Sequence, residues 1–359
     1  MTKYHYCLLL MGSLLLGSCQ SVEQLSIDYM LPAEVSFPAT LKRVAVVNNM
    51  PNVPDNKLII SEEEQKKSEN EVARLTNYYN GDAAITTESL AEALANENYF
   101  EEVVICDSAL RSKDINPRES TLSRDEVLEL TQNLDVDFLI ALENIQMRSN
   151  RKISYMPDWG VKVYPTVRIY LPNRKGPMVT VNSNDSIFWE EAGNGEASVR
   201  SRLISEEDMV KQASEFAGTV PVRHLLPYWK TSNRYLFSGG SVNMRDAAVY
   251  AKEENWSKAV ELWKQTYETK KGKQKMYAAY NTALGYEMQD SIDTALEWAL
   301  KAQTLAREKS KTDKKETGEI HDGTISYYIF ISMYVDELEK RKEGMARLNM
   351  QMNRFDDDF

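Results

Sequence analysis

The chain has 359 residues, with 43 Lys and Arg against 54 Asp and Glu, a formal net charge of -11. That balance argues against a nucleic-acid partner, which needs a basic stripe, and against adhesion of the protein surface to anionic lipid. The length suffices for two domains at roughly 100 to 200 residues each.

The N-terminal residues carry Lys3, an apolar run from Cys7 to Leu16, and the small residues Gly17 and Ser18 immediately before Cys19. The run is too short to span a bilayer, which takes about 20 residues. A basic start, a short apolar stretch and small residues before a cysteine make Leu16-Gly17-Ser18-Cys19 resemble the recognition site of a bacterial lipoprotein signal. The expectation is loss of residues 1–18 as signal peptide and acylation of Cys19 by fatty acid such as palmitate. Cys106 is then the one free thiol, and no internal disulfide can form. Gln20-Ser21-Val22-Glu23 lacks the acidic run that resembles a surface-export tag. The expected address is therefore the cell envelope, lipid-anchored in the outer membrane and facing the periplasm.

Residues 19–41, with Pro32 and Pro38, read as a tether. An α/β domain is expected over 42–237. It opens with the β-branched run Arg43–Asn49, suited to a strand covered on both faces. A polar stretch from Pro51 to about Lys67 reads as a loop leading into a short helical segment. Thr87 is placed to cap a helix with Leu90, Ala91, Leu94 and Ala95 on one face, and Phe100–Cys106 reads as a strand. Ser123 and Glu126 form an S-x-x-E capping box ahead of Val127, Leu130 and Leu134. Phe138–Leu142 is a second buried-strand run within Asp137–Ile145. Alternation over Val161–Leu171 predicts a half-exposed strand, with Met178–Trp189 as its antiparallel neighbour. A helix from Ser205 carries Met209, Ala213, Phe216 and Val220. The order is β-α-β-α-β-β-β-α, a mixed-sheet domain.

After Ser238-Gly239-Gly240-Ser241 the pattern becomes helical over 242–348. Ala247, Tyr250, Ala259 and Trp263 are echoed 36 residues later by Ala283, Tyr286, Ala295 and Ala299. Helix pairs repeating at about this period let small residues bring helices close while aromatic side chains fill the gaps between pairs. Trp256, Trp263 and Trp298 are expected in that core. A last helix, roughly Ile320–Arg347, caps the stack, and 349–359 reads as a flexible acidic tail. The fold class is thus α+β, an N-terminal mixed-sheet α/β domain followed by an all-α helical repeat domain.

Through Glu254-Asn255-Trp256-Ser257-Lys258-Ala259-Val260 and Gly285-Tyr286 with Ala295, the last third resembles tetratricopeptide repeats. The element order of the first domain is similar to the periplasmic domain shared by the curli-secretion lipoprotein and the lipoprotein activators of penicillin-binding proteins. The whole layout resembles uncharacterised lipoproteins of Bacteroidales.

Neither His224 nor His321 lies near a second ligand at metal spacing, and no CxxC, HExxH or G-x-S-x-G occurs, so no catalytic residue, metal or cofactor is expected. Glu206, Glu207 and Asp208 sit where a first helical turn favours negative charge. The candidate contacts are aromatic. Tyr155 and Trp159 lie near Tyr164 and Tyr170, which equally suit a cover for the open sheet face. Tyr250, Tyr286, Tyr327, Tyr328 and Tyr334 belong to the helical part. The leading expectation is a non-enzymatic scaffold or adaptor that binds another envelope protein through its helices. The alternative is a glycan or peptidoglycan binder, or a regulator of cell-wall synthesis, acting through the α/β domain.

Overall fold

The computed structural model describes residues 22–52, 73–114, 121–153, 158–190, 204–317 and 326–358. The protein is α+β, with an N-terminal mixed sheet and a C-terminal helical region. Nine strands are described: β1 (Val22–Leu31), β2 (Arg43–Asn48), β3 (Ala73–Asn80), β4 (Glu102–Ala109), β5 (Phe138–Ile153), β6 (Asp158–Tyr170), β7 (Val179–Asn182), β8 (Asp185–Glu190) and β9 (Tyr228–Phe237). The described helices are α1 (Ala83–Asn96), α2 (Arg124–Leu134), α3 (Glu206–Thr219), the short α4 (Val222–Leu225), α5 (Val242–Lys252), α6 (Trp256–Thr269), α7 (Gly272–Glu287), α8 (Ile292–Thr317) and α9 (Tyr327–Met352). A 3-10 turn follows at Asn353–Asp358. No described helix is long and apolar enough to cross a membrane.

Two compact units divide the chain. One holds the segment ending at Leu31 together with Trp229–Leu348, and the other holds Pro32–Tyr228 with Asn349–Phe359.

In the α/β unit, β2, β4 and β5 are parallel, and β3, β6, β7 and β8 complete a seven-stranded sheet by antiparallel pairing. The β-branched run of β2 alternates between two cores. Val44 and Val46 face the layer of α1 and α3 with Leu90, Leu94, Met209 and Ala213. Ala45 and Val47 face Val127 of α2 and Leu122. The capping box of α2 forms as expected between Ser123 and Glu126. α1 starts earlier than Thr87 predicts, because the Asp82 side chain accepts from the N–H groups of Ala84 and Ile85. Thr87 is instead buried inside the helix, donating to Ala83 O.

Two further departures lengthen the sheet. Ala73–Asn80, expected to follow a loop into a helical segment, is strand β3 on the extension of β5 beyond Ile145. The segment Met178–Trp189 is two strands, β7 and β8, each pairing with β6.

α1 and α3 pack at closest approach over Gly218. A Cβ there would stand 2.6 Å from Thr86 O and 2.7 Å from Leu90 N, both backbone atoms that cannot swing aside. The contact is tied by Thr86 Oγ1 donating to Ser214 O at 2.9 Å and Ser89 Oγ donating to Glu215 O at 2.6 Å.

Within 349–359, expected to be a flexible tail, Gln351 is held by buried hydrogen bonds. The Gln351 amide donates to Ala33 O at 3.1 Å and Val35 O at 2.8 Å, while its oxygen accepts from Ala33 N at 3.0 Å. The Arg354 guanidinium lies 4.2 Å from the centre of the Tyr99 ring, which also meets Phe355 edge to face. The acidic composition of 356–358 masked this apolar and amide docking just upstream.

In the helical unit, residues 22–31 of the expected tether 19–41 are strand β1. Leu25, Ile27, Tyr29 and Leu31 alternate with Gln24, Ser26, Asp28 and Met30, the period of a half-buried strand, and Pro32 stands just past its end. It pairs with β9 in a two-stranded sheet, which moves Trp229–Phe237 out of the expected α/β domain.

The 36-residue spacing read from the sequence has a counterpart in backbone geometry. After α5, Glu254 takes φ 57 with its N–H on Ala251 O and the Asn255 N–H on Tyr250 O; after α7, Asp290 takes φ 53 with its N–H on Glu287 O and the Ser291 N–H on Tyr286 O. These are the same left-handed helix stop, 36 residues apart. Ala247, Ala259, Ala283 and Ala295 are all fully buried, and Gly285 lets α7 close on Val260 and Trp263 of α6.

Replacing Gly218 by Ala forces α1 and α3 apart and is expected to cost about 1–3 kcal/mol, read as a lowered urea midpoint of the α/β unit. An unchanged midpoint would contradict the backbone contact described.

Candidate functional site

Polar side chains gather at two buried places, and an aromatic and basic surface lies on the helical unit. The first buried place is at the carboxyl ends of the parallel strands, where open α/β sheets usually bind ligands. Asn49 follows β2, Arg111 follows β4, and Glu143 stands at the irregularity of β5 between Leu142 and Asn144. Glu143 is 3% exposed and accepts from Tyr170 OH at 2.7 Å, Asn49 Nδ2 at 2.8 Å and Arg168 Nη1 at 3.2 Å. Arg111 donates from Nε to Asn49 Oδ1 and from Nη1 to Glu126, while its Nη2 is buried without a hydrogen-bond partner. Burial lifts the Glu143 carboxyl above the ordinary range, against the pull of Tyr170, Asn49 and Arg168. Burial and Glu143 together raise the Tyr170 phenol. With both carboxylate oxygens occupied and almost no exposure, the cluster joins β2, β5 and β6 rather than offering a base to a substrate.

The second place is in the helical unit. Glu287 on α7 is fully buried. It receives a two-pronged bond from Arg234 of β9, Nε to Oε2 at 2.8 Å and Nη2 to Oε1 at 2.7 Å. Arg341 Nη1 reaches the same Oε1 at 2.6 Å and Tyr334 OH reaches Oε2 at 2.8 Å. Glu337 takes Arg234 Nη1 at 3.0 Å, Ser232 Oγ at 3.1 Å, Lys230 Nζ at 3.2 Å and the Tyr29 hydroxyl. The Arg341 guanidinium lies 4.0 Å from the centre of the Tyr29 ring. Burial opposes ionisation of Glu337, but the Tyr29 hydrogen bond, the Arg234 charge and the Lys230 contact outweigh it and hold its carboxyl down to about 2.

The expected contact residues divide by burial. Trp159 is 5% exposed, donates to Ser149 Oγ and meets Trp189 edge to face, so it belongs to the core. Its place on the inward register of β6 corrects its expected role as a ligand platform. Tyr170 is buried on the other sheet face. Tyr164 is half-buried and sits under Lys162. Tyr155 lies outside the described residues, as do Leu16, Gly17, Ser18 and Cys19. Tyr334 is buried on Glu287 and is likewise structural, a second correction.

The remaining helical tyrosines reach the surface. Tyr327 is exposed and accepts a hydrogen bond from Tyr277 OH at 2.7 Å, beside the stacked pair of Phe237 and Tyr277. Tyr328 is half-buried against the same core. Tyr250 and Tyr286 are half-buried, with Lys258 and Lys264 over their rings at 5.2 Å and 4.9 Å. Ile329 and Met333, 53% and 63% exposed, lie one turn apart on the outer side of α9. Trp263 and Trp298 are buried, as the repeat predicts, and Trp256 is half-buried.

Sequence reasoning missed Glu143, Arg234, Glu287 and Glu337. The available signal was a charged residue on the inward position of an apolar pattern: Glu143 closing Phe138–Leu142, and Glu287 ending the Ala- and Tyr-rich face of α7. Among the described residues, no group of three or more His, Cys, Asp or Glu could hold a metal ion, and Cys106 is a half-buried free thiol.

Because the folded Glu337 carboxyl titrates near 2 and an ordinary one near 4.5, its contribution to stability is complete above about 4.5 and disappears as pH falls towards about 2. The urea midpoint of the helical unit, followed by circular dichroism, should therefore fall more steeply across that window in the wild type than in Glu337→Gln. Parallel curves would contradict the assignment.

Residues 41–237 match a family model described as a domain of unknown function, DUF8603. Residues 245–340 match a second model of the same kind, DUF6340. No curated protein and no solved structure is significantly similar to the chain. The first match spans more than half of the 359 residues, and the chain belongs to the DUF8603 family.

Proposed function

We propose that this protein is a lipoprotein of the cell envelope, acylated at Cys19 in the outer membrane and facing the periplasm. In this reading it is a non-enzymatic adaptor that docks another envelope protein through tetratricopeptide-like helices. The observation that carries the reading is the repeated hairpin. The same left-handed stop closes α5 and α7 36 residues apart, over pairs of fully buried alanines. Stacked hairpins of this kind present an extended array of side chains without catalytic groups. The exposed Ile329 and Met333, and the surface rings of Tyr250, Tyr286, Tyr327 and Tyr328, give that array its binding character.

Anchorage gains a specific meaning from β1. If Cys19 is acylated, only Gln20 and Ser21 separate it from Val22, the first residue of β1. Three residues of chain span at most roughly 11 Å. The lipid then holds the helical unit itself at the bilayer, with no long tether between them. Trp159, one of the aromatic residues behind the alternative glycan reading, is buried in the α/β unit.

Crosslinking mass spectrometry on whole cells should recover one envelope protein joined to residues 242–348. Cys19→Ala should move a folded protein from the membrane fraction to the soluble fraction. Absence of any such crosslink, or turnover of an envelope substrate by the purified protein, would overturn the adaptor reading; a membrane-bound Cys19→Ala variant would overturn the anchor.

A further inference from the structure

The helical unit holds lysines of two kinds. Lys230, Lys252 and Lys342 each meet a carboxylate, Glu337 at 3.2 Å, Glu23 at 2.8 Å and Asp293 at 2.6 Å. Lys264, Lys275 and Lys301 have no ion pair among the described residues, and each instead lies over an aromatic ring. Lys275 Nζ is 4.3 Å from the centre of Tyr267, and Lys301 Nζ is 4.0 Å from that of Trp298. Lys264 Nζ is 4.9 Å from Tyr286 and 5.7 Å from Trp298, and it also bonds the Tyr286 hydroxyl.

The rings make these contacts continuous. Tyr267 and Trp298 meet edge to face with centroids 5.0 Å apart, so three ammonium groups from α6, α7 and α8 share one patch. A ring quadrupole positions a cation but does not neutralise it. The patch therefore gathers three ammonium groups with no ion-pair partner among the described residues, in a chain of net charge -11, although Glu261, Glu268 and Glu297 are exposed one helical turn from Lys264 and Lys301. Overall acidity argues against nucleic acid and anionic lipid as partners, but it does not describe this local arrangement.

We infer that this lysine-over-aromatic patch is a docking surface for an acidic segment of a protein partner. Carboxylates of that segment meet Lys264, Lys275 and Lys301, and an apolar side chain lies against Tyr267. Charge complementarity fixes the occupant as an anion. The surrounding negative charge repels an extended anionic sheet such as a bilayer far more than it repels a short segment, which favours a peptide. The inference rests on the adaptor reading and specifies its surface and partner chemistry.

The test is fluorescence anisotropy of the full mature chain with a labelled peptide of Glu-Leu repeats, against the same peptide with Gln for Glu. The Glu peptide should bind, and should weaken about tenfold or more when salt rises from about 0.05 M to about 0.3 M. A Lys264→Gln, Lys275→Gln, Lys301→Gln variant should lose the Glu peptide while keeping its thermal midpoint. Should the triple variant fail to fold, the exposed Lys301→Gln alone must still weaken binding. No binding of the Glu peptide, equal binding by the variants, or equal binding of the Gln peptide overturns the proposal. So does lysine-dependent binding to vesicles of equal phosphatidylglycerol and phosphatidylethanolamine without peptide binding. Whole-cell crosslinks from residues 242–348 that persist in the triple variant remove this patch and leave the adaptor standing, whereas their absence from the wild type removes the adaptor itself.

Discussion

Glu287 is a carboxylate with no exposure to water, and a lone buried carboxylate is too costly for a fold to keep. It is kept because four donor contacts surround it: two from Arg234, one from Arg341 and one from Tyr334. Those donors come from β9 and from two different turns of α9, while the acceptor belongs to α7. The charge can be buried only if the strand and both helices are in place together. Glu337 extends the same network to Tyr29 of β1 and Lys230 of β9. Buried ion pairs are weak sources of net stability, but removing one partner leaves an uncompensated charge, so they discriminate sharply between right and wrong assembly.

That constraint accounts for the path of the chain. The two-stranded sheet of β1 and β9 is too small to be stable alone in water. The network attaches it to α7 and α9, and so makes the first described residues of the chain part of the helical unit. The chain passes between its two units at residues 31–32, 228–229 and 348–349, so neither unit is continuous in sequence. The polar cluster of Glu143 plays the corresponding part in the α/β unit, fastening the carboxyl ends of β2 and β5 to β6. Both clusters are buried among the elements they join.

Legibility in the sequence followed the locality of the signal. The capping box at Ser123, the buried runs of β2 and β5, and the acidic first turn of α3 are written within a few residues and formed as expected. The 36-residue spacing was readable from its alanines, and left-handed turns at Glu254 and Asp290 fall at the same spacing. Features that depend on distant partners were hidden. β1 carries a clear alternation, yet two nearby prolines and the expected anchor drew it into a tether; β3 has an uneven polar sequence and is a strand because β5 continues past Ile145 to meet it. Gln351 looks like any polar tail residue, and its role comes from distant partners at Ala33, Val35, Ser36 and Tyr99. Trp159 and Tyr334 were candidate contacts because aromatic residues serve both surfaces and cores, and the choice between them is made by register. Net charge is likewise blind to local arrangement, since it averages over a surface on which Lys264, Lys275 and Lys301 lie over aromatic rings.

The central claim is that the Arg234–Glu287 pair joins the two-stranded sheet to the helices. A double-mutant cycle in urea tests it most directly, with Arg234→Met, Glu287→Leu and the combined variant. Each single change should cost about 3–5 kcal/mol, and the combined variant should be more stable than the sum by about 2 kcal/mol or more, because neither member of the pair is left buried without the other. Effects that simply add, or single costs below about 0.5 kcal/mol, would contradict the account.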